Sequence, residues 1–176
     1  MSDRYIMTAF GKDRVGIVAD VTRVLYENNC NLEDTTMNLL ADEFTLVLLF
    51  SASNPKIEEQ LSSDCRRLEL EKGIAAFVRK LEPTETKKER DYKTCNLHIE
   101  GIDQGGIVYK TSKFLAANNL NIIQLSSAAK ASPQSGATMY VMDIMVEMEK
   151  GVTLDQVEDD LNAMADELQV DINMSC

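Results

Sequence analysis

One stretch of the chain occurs twice, 90 residues apart, and this repeat limits the folds that the chain can adopt. The segment 11–31 aligns with the segment 101–121 without a gap. The residues shared by both copies are, in the first copy, Gly11, Asp13, Gly16, Ile17, Val18, Leu25, Asn28, Asn29 and Asn31, and in the second copy Gly101, Asp103, Gly106, Ile107, Val108, Leu115, Asn118, Asn119 and Asn121. We therefore expect two copies of one structural module.

The hydrophobic pattern of each copy predicts the element order βαββαβ. Alternating apolar residues predict strands, and apolar residues at a spacing of three and four predict helices. Asn residues tolerate left-handed backbone geometry and are typical of helix ends. The predicted elements of the first copy are a strand over 5–10, a helix from Ile17 that Asn28 and Asn29 end, strands over 31–40 and 43–52 with a turn at 41–42, a helix opened by Pro55, and a strand over 74–81.

This element order predicts an α+β protein made of two ferredoxin-like modules. Each module would have a four-stranded antiparallel sheet with two helices on one face. The segment 83–94 contains Pro83 and charges of both signs, a composition typical of a solvated linker. We expect a first domain over 1–82, a linker over 83–94 and a second domain over 95–176.

The chain is strongly acidic, with 18 Lys and Arg against 29 Asp and Glu and a net charge of −11. Such a field repels nucleic-acid phosphates and anionic lipids, so we expect no direct nucleic-acid partner and no membrane partner. The longest apolar run covers only 46–50, and the first residues lack a basic and then apolar leader. These features favour a cytoplasmic protein.

The cysteines and the single histidine offer little for catalysis or metal binding. Four cysteines occur without a Cys-x-x-Cys spacing, so we expect reduced structural thiols and no metal site. His98 lies in an alternating run and is expected to face outward beside Asn96 and Glu100, not to act as a base. We expect no catalytic residues, no cofactor and no enzyme activity.

The strand-to-helix turn of each copy is the best candidate for a binding site. Helix N-termini present unpaired N–H groups to anions, and glycines allow close approach of a ligand to the backbone. A carboxylate such as Asp13 or Asp103 could receive an ammonium group, and a ligand with both groups is an amino acid. The alternative is that both aspartates only cap the helices and that the glycines only turn the chain.

Asn31 and Asn121 form a second pair of candidates, because each follows the Asn-Asn pair and begins a strand. A carboxamide offers both a donor and an acceptor, which suits the two charged groups of an amino acid. The alternative is an asparagine that forms a local hydrogen bond within the turn.

The third strand of the first copy is apolar on both faces, with Phe44, Leu46, Leu48 and Phe50 on one face. Helices cover only one face of such a sheet. We expect this row to lie on the face that the helices leave uncovered and to be buried in a homodimer. The alternative is that the second module or the linker around Tyr92 covers the row within one chain. In the second copy, alternate residues from Tyr140 to Met148 are expected to pack in the core.

The first copy resembles an ACT domain through the segments 11–18, 30–34 and 42–45. The tandem pair resembles the family of glycine cleavage system transcriptional repressors. The resemblance implies that an amino acid is bound between the turn of one module and the second strand of its neighbour. Carried over by position, the implied ligand-binding residues are Gly11, Asp13, Gly16, Ile17 and Asn31, with Gly101, Asp103, Gly106, Ile107 and Asn121 in the second copy.

The resemblance also implies a non-catalytic regulator that binds a small amino acid, glycine or serine. Its protein partner would be a transcriptional activator or a metabolic enzyme. Two alternatives stay open, a structural oligomerisation module that binds no ligand and a regulatory subunit of a metabolic enzyme. A stand-alone enzyme is disfavoured because the sequence offers no nucleophile beside a base and no phosphate-binding loop.

Overall fold

The computed structural model describes residues 2–82, 92–132, 136–149 and 154–176, in two compact units that divide after Thr86. The elements of the first unit are β1 (Asp3–Lys12), α1 (Ile17–Glu27), β2 (Asn31–Leu40), β3 (Glu43–Ala52), α2 (Ile57–Lys72) and β4 (Ala75–Lys80). Those of the second unit are β5 (Tyr92–Ile102), α3 (Ile107–Ala117), β6 (Asn121–Ala131), β7 (Thr138–Glu149), α4 (Leu154–Leu168) and β8 (Val170–Ser175).

Each unit is built on one four-stranded sheet. The strand order is β2-β3-β1-β4 in the first sheet and β6-β7-β5-β8 in the second, and every pairing is antiparallel. The register of the second strand shifts at corresponding places, between Leu32 and Asp34 and between Ile122 and Gln124. These features confirm the predicted pair of ferredoxin-like α+β modules with order βαββαβ.

The predicted linker lies mostly outside the described residues, since 83–91 are not among them. Strand β5 begins at Tyr92, so the last three residues of the segment predicted as linker are part of a strand.

The core of the first unit corrects the expected exposed row. Phe44, Leu46, Leu48 and Phe50 are at most 1% exposed and belong to the buried core with α1 and α2. Residues opposite each other on paired strands share a face, and Phe50 lies opposite Tyr5, which is also buried. Helices therefore cover this face of β3, while the other face, with Val47, is open. The sequence of β3 alone could not show which apolar face the helices cover.

The second unit packs in the same way, and its methionines follow the prediction. Met142, Ile144, Val146 and Met148 are buried and Tyr140 packs against them. Thr111 of α3 is the one described residue with a polar side chain among the buried positions.

The cysteines only partly agree with the prediction of four reduced thiols. Cys30 and Cys65 are free, but Cys95 and Cys176 form a disulfide. Asn96 pairs with Ser175, which places Cys95 directly opposite Cys176, and their Cα atoms are 4.1 Å apart. The two cysteines are 81 positions apart in sequence, so only the strand pairing brings them together.

Neither unit contains, within the described ranges, a helix with the length and apolar character needed to cross a membrane.

Candidate functional site

The two strand-to-helix turns have the same backbone geometry. Helix α1 is preceded by Gly16 with φ of 85°, and α3 is preceded by Gly106 with φ of 96°. Side chains with a Cβ rarely adopt this left-handed conformation, so both positions favour glycine. The N–H of Asp13 donates to the Asp42 carbonyl at 2.8 Å, and the N–H of Asp103 donates to the Thr138 carbonyl at 3.0 Å. The repeated residues therefore give two equivalent turns.

Asp13 and Asp103 do not cap the helices that follow them. The N-cap positions are Gly16 and Gly106, and neither helix start has a side-chain cap. The side chains of both aspartates are exposed and form no hydrogen bond or ion pair with the described part of the chain. The alternative in which the aspartates only cap the helices is therefore wrong, and both carboxylates face solvent.

The first turn of each helix leaves backbone N–H groups available. In α1 the first helical bond runs from the N–H of Asp20 to the Gly16 carbonyl at 3.0 Å. The N–H groups of Val18 and Ala19 have no acceptor within the described ranges. Unpaired N–H groups at the positive end of a helix attract an anion. A helix start with unpaired N–H groups thus lies close in sequence to a solvent-exposed carboxylate.

Ile17 and Ile107 occupy the first helical position and are 3% and 2% exposed. Their side chains belong to the two cores, so only backbone groups could contact a ligand, and the N–H of Ile17 already donates to the Arg14 carbonyl at 3.3 Å. The repeat identifies these isoleucines, but their periodicity equally identifies core residues.

Gly11 and Gly101 have a packing role in the strands that lead to the turns. A Cβ on Gly11 would lie 3.0 Å from the Gly73 carbonyl oxygen. A Cβ on Gly101 would lie only 2.6 Å from Cγ1 of Val170. Gly11 leaves room for the C-cap of α2, just before β4, and Gly101 leaves room for the first residue of β8, which explains their repetition without a ligand. A ligand contact at these two positions stays a prediction.

Asn31 and Asn121 begin β2 and β6, and both side chains are exposed. Asn31 pairs with Ser51, and Asn121 pairs with Glu147. Neither carboxamide forms a hydrogen bond with another residue in the described ranges. The alternative of a local turn hydrogen bond is therefore wrong. Asn28 and Asn118 do behave locally, since each donates to the backbone carbonyl four residues earlier.

Within one unit, the turn and the asparagine are far apart. Asp13 follows the end of β1, where Lys12 pairs with Glu43. Asn31 lies at the other end of the sheet, where it pairs with Ser51. The eight residue-to-residue steps from Glu43 to Ser51 along β3 span roughly 27 Å. One small ligand therefore cannot contact Asp13 and Asn31 of the same unit.

The two turns differ in the charged residues around them, which the repeat analysis missed. Arg14 donates to the Asp20 carboxylate at 2.6 Å, and this hydrogen bond lowers the pKa of Asp20. The second turn has Gln104 in place of Arg14, and its side chain donates to the Leu168 carbonyl at the end of α4. A residue-by-residue comparison of the two copies would have shown this substitution.

The described part of the second unit places a histidine, a carboxylate and a serine side by side on the open sheet face. His98 is half-exposed, as predicted, and its Nδ1 lies 2.7 Å from Oδ1 of Asp143. Asp143 pairs with both His98 and Ser126, so the carboxylate lies between the other two. This order does not place the imidazole where it could take a proton from the serine. The described residues also contain no group of three or more His, Cys, Asp or Glu side chains that could hold a metal ion.

Comparisons with known proteins agree with this geometry. A family model described as ACT domain matches residues 4–79. A UPF0237 protein of Methanocaldococcus jannaschii is 32% identical over 76 residues, which are 43% of this chain and 84% of that protein. The glycine cleavage system transcriptional repressor of Escherichia coli is 44% identical over 48 residues, which are 27% of this chain and 25% of that repressor.

Solved structures also match both units together. The crystal structure of an unknown protein from Galdieria sulphuraria has a TM-score of 0.79 and 25% sequence identity, and the match covers 99% of this chain and 98% of that one. The family model covers the first unit, and the second unit repeats its element order and its strand order. On these matches, the chain belongs to the ACT-domain family.

Proposed function

We propose that the chain is a non-catalytic regulator that binds a small amino acid, glycine or serine, at its strand-to-helix turns. The observation that carries this proposal is that, in both turns, a helix start without a side-chain cap follows an aspartate that has no partner among the described residues. The helix N–H groups would receive the α-carboxylate, and the carboxylate of Asp13 or Asp103 would receive the α-ammonium group. The absence of a side chain at Gly16 and Gly106 leaves both helix starts open to a ligand.

Asn31 and Asn121 complete the proposed sites from the opposite copy. A ligand that contacts a turn cannot reach the asparagine of the same unit, which lies at the other end of the sheet. We therefore assign Asn121 to the ligand of the Asp13 turn and Asn31 to the ligand of the Asp103 turn. Each carboxamide would accept from the ammonium group and donate to the carboxylate of the bound amino acid.

The proposed regulator acts on a protein and not on nucleic acid. A net charge of −11 disfavours phosphate backbones, so a transcriptional effect requires a DNA-binding activator as partner, with a metabolic enzyme as the alternative partner. The relative from Escherichia coli is named a transcriptional repressor, and a role in transcription favours the DNA-binding activator over the metabolic enzyme as the partner. Binding changes the output only if the amino acid prefers one conformational state. We place this activity in the cytoplasm, without a membrane partner or a cofactor.

A homodimer remains part of the proposal, but on different residues from those expected. The open face of the first sheet presents Val47 and Leu49 of β3. On the same face, the rings of Phe10 and Phe77 stack against each other with centroids 6.1 Å apart. Phe10 and Phe77 are 44% and 64% exposed within the chain. Exposed aromatic side chains favour burial against a second surface.

The function is tested by thermal unfolding of the full chain in the presence of each standard amino acid. We expect glycine or serine to raise the midpoint, because a ligand that binds only the folded state stabilises it. The variant Asp13→Asn with Asp103→Asn keeps the shape of the turns and should lose this shift. Glu69→Gln with Asp160→Asn removes one exposed charge from α2 and one from α4 and should keep the shift. If no amino acid shifts the parent, or if the aspartate variant responds like the parent, the proposal is wrong.

A further inference from the structure

The second sheet has an edge strand whose end is held by one covalent bond. Among the described strands, β8 pairs with β5 alone, from Gly101 with Val170 to Asn96 with Ser175. Directly beyond that last pair, the Cys95–Cys176 disulfide joins the two strands. An edge strand with one neighbour is the part of a sheet that opens most readily, so a bond at its end strongly affects local opening.

In the first sheet, the corresponding end of the edge strand β4 is held to β1 without a covalent bond. Tyr5 occupies the position of Cys95 in the repeat and lies opposite Lys80 of β4. Tyr5 stacks on Phe50 with ring centroids 5.6 Å apart, and Lys80 donates to Asp3 at 2.5 Å. The two copies therefore secure corresponding strand ends by different chemistry, and only the second copy depends on an oxidised pair.

The two sulfur atoms of the disulfide differ in their access to solvent. Cys95 is fully buried in the second core, whereas Cys176 is exposed. An incoming thiolate must reach a disulfide sulfur directly, so Cys176 is the accessible atom for exchange and Cys95 is the leaving group. In the reverse direction, Cys176 meets an external disulfide first and Cys95 resolves it.

We propose that Cys95 and Cys176 form a reversible thiol–disulfide switch that clamps β8 when oxidised and releases it when reduced by a small thiol of the glutathione class. In reduction, one thiolate attacks Sγ of Cys176, the bond to Cys95 breaks, and Cys95 leaves as a thiolate that takes a proton. A second thiolate then attacks the sulfur of the attached small thiol and releases Cys176. The sum is one protein disulfide and two small thiols giving two protein thiols and one small-molecule disulfide, with two electrons transferred.

The other two thiols serve as internal controls. Burial, together with the nearby Asp64 charge, raises the pKa of the Cys65 thiol to about 11, and burial also raises the pKa of the Cys30 thiol. Both stay protonated at neutral pH and exchange slowly, because the thiolate is the reactive form.

The clamp also borders a surface depression on the open face of the second sheet. Asn96 and Ser175, the pair next to the disulfide, line this depression of about 430 Å³ together with Asn173 of β8. Release of β8 would therefore alter the shape of this polar face. The switch is independent of amino-acid binding at the turns.

The proposal is tested on the full chain in buffers with graded ratios of reduced to oxidised glutathione. Samples are quenched with acid, denatured, alkylated and weighed by mass spectrometry. We expect the alkylated cysteines to change from four to two in one two-electron transition, with Cys30 and Cys65 labelled throughout. In Cys30→Ser with Cys65→Ser the same transition should run from two to none. A pair that stays wholly oxidised or wholly reduced across the series overturns the proposal.

Two further measurements test the order of attack and the clamp. Cys95→Ser should accumulate one glutathione on Cys176, whereas Cys176→Ser should carry none on the buried Cys95. Amide hydrogen exchange over 170–175 should be at least about tenfold faster in the reduced parent, while 75–80 of β4 should be unchanged. Equal exchange of β8 in the two forms, or glutathione on Cys95, contradicts the proposal.

Discussion

Asp13 and Asn31 lie at opposite ends of the same sheet, because β1 and β2 run in the same direction and one residue follows the first strand while the other begins the second. Both side chains are exposed and form no hydrogen bond with the described part of the chain. An amino acid that uses both kinds of residue must therefore take them from different copies of the module. A proposed site that uses an aspartate and an asparagine therefore needs more than one copy of the module.

The conformation of the turn predicts different costs for two adjacent glycines. Gly106 has φ of 96°, whereas Gly105 is outside the left-handed region and a Cβ there meets no atom within 4 Å. We expect Gly106→Ala to destabilise the second unit by about 1 to 2 kcal/mol. Gly105→Ala should change stability by less than about 0.5 kcal/mol. Urea unfolding of both variants measures the difference, and equal costs would contradict the assigned geometry.

Lysine substitutions at two neighbouring residues of β3 should have opposite effects on folding, because helices cover only one face of this strand. Leu46 is 1% exposed, and loss of a buried leucine alone costs about 2 to 5 kcal/mol. Leu46→Lys also buries an unpaired ammonium group, so we expect the first unit to unfold. Val47→Lys places its charge on the open face and should leave the monomer folded. Circular dichroism tests the folds, and sedimentation equilibrium of the folded Val47→Lys variant tests the proposed dimer, which this charge should dissociate.

The buried hydroxyl of Thr111 predicts a stabilising substitution. Its Oγ1 has no hydrogen-bond partner in the described structure, and the side chain is fully buried. Val21 occupies the corresponding position of the first unit. We expect Thr111→Val to raise the free energy of unfolding by about 1 kcal/mol, because the desolvated hydroxyl is removed. Val21→Thr should lower it by a similar amount, and a neutral or destabilising Thr111→Val would show that the hydroxyl is satisfied.

The ion pair at the first turn predicts a pH-dependent contribution to stability. Arg14 lowers the pKa of Asp20 mainly through its hydrogen bond, and the charges of Lys72 and, more weakly, of Arg23 at 3.7 Å lower it further. A lowered folded-state pKa stabilises the fold above the unfolded value of about 3.9, and this contribution is lost as pH falls through the folded-state value. Arg14→Gln should raise the pKa of Asp20 in carboxyl NMR titration, and Arg23→Gln should raise it less. The reverse order would contradict the assigned contact.

The repeat and the hydrophobic periodicity predict most of the fold because both are local signals. Strands β2 and β3 lie where the pattern placed them, and Asn28 follows the last residue of α1 as expected. The missed features depend on contacts between distant segments. The covered face of β3 is set by its pairing with β1, and the Cys95–Cys176 disulfide is set by the register of β5 and β8.

The candidate site was predictable only in part for a related reason. The repeated aspartates and asparagines identified exposed side chains that lack partners in the described structure. Repetition could not separate them from Gly11 and Gly101, which are explained by close strand packing. Identical residues in two copies preserve geometry as well as binding, and only the contacts of each residue distinguish the two causes.

The proposed sharing of the sites between copies is tested most directly by the number of amino-acid molecules bound per chain in titration calorimetry. Each lost charge-assisted hydrogen bond should cost roughly 1.5 to 3 kcal/mol, enough to empty a site at low ligand concentration. We predict two molecules for the parent, one for Asp13→Asn, one for Asp13→Asn with Asn121→Ala, and none for Asp13→Asn with Asn31→Ala. One molecule for the Asn31 combination and none for the Asn121 combination would contradict the account.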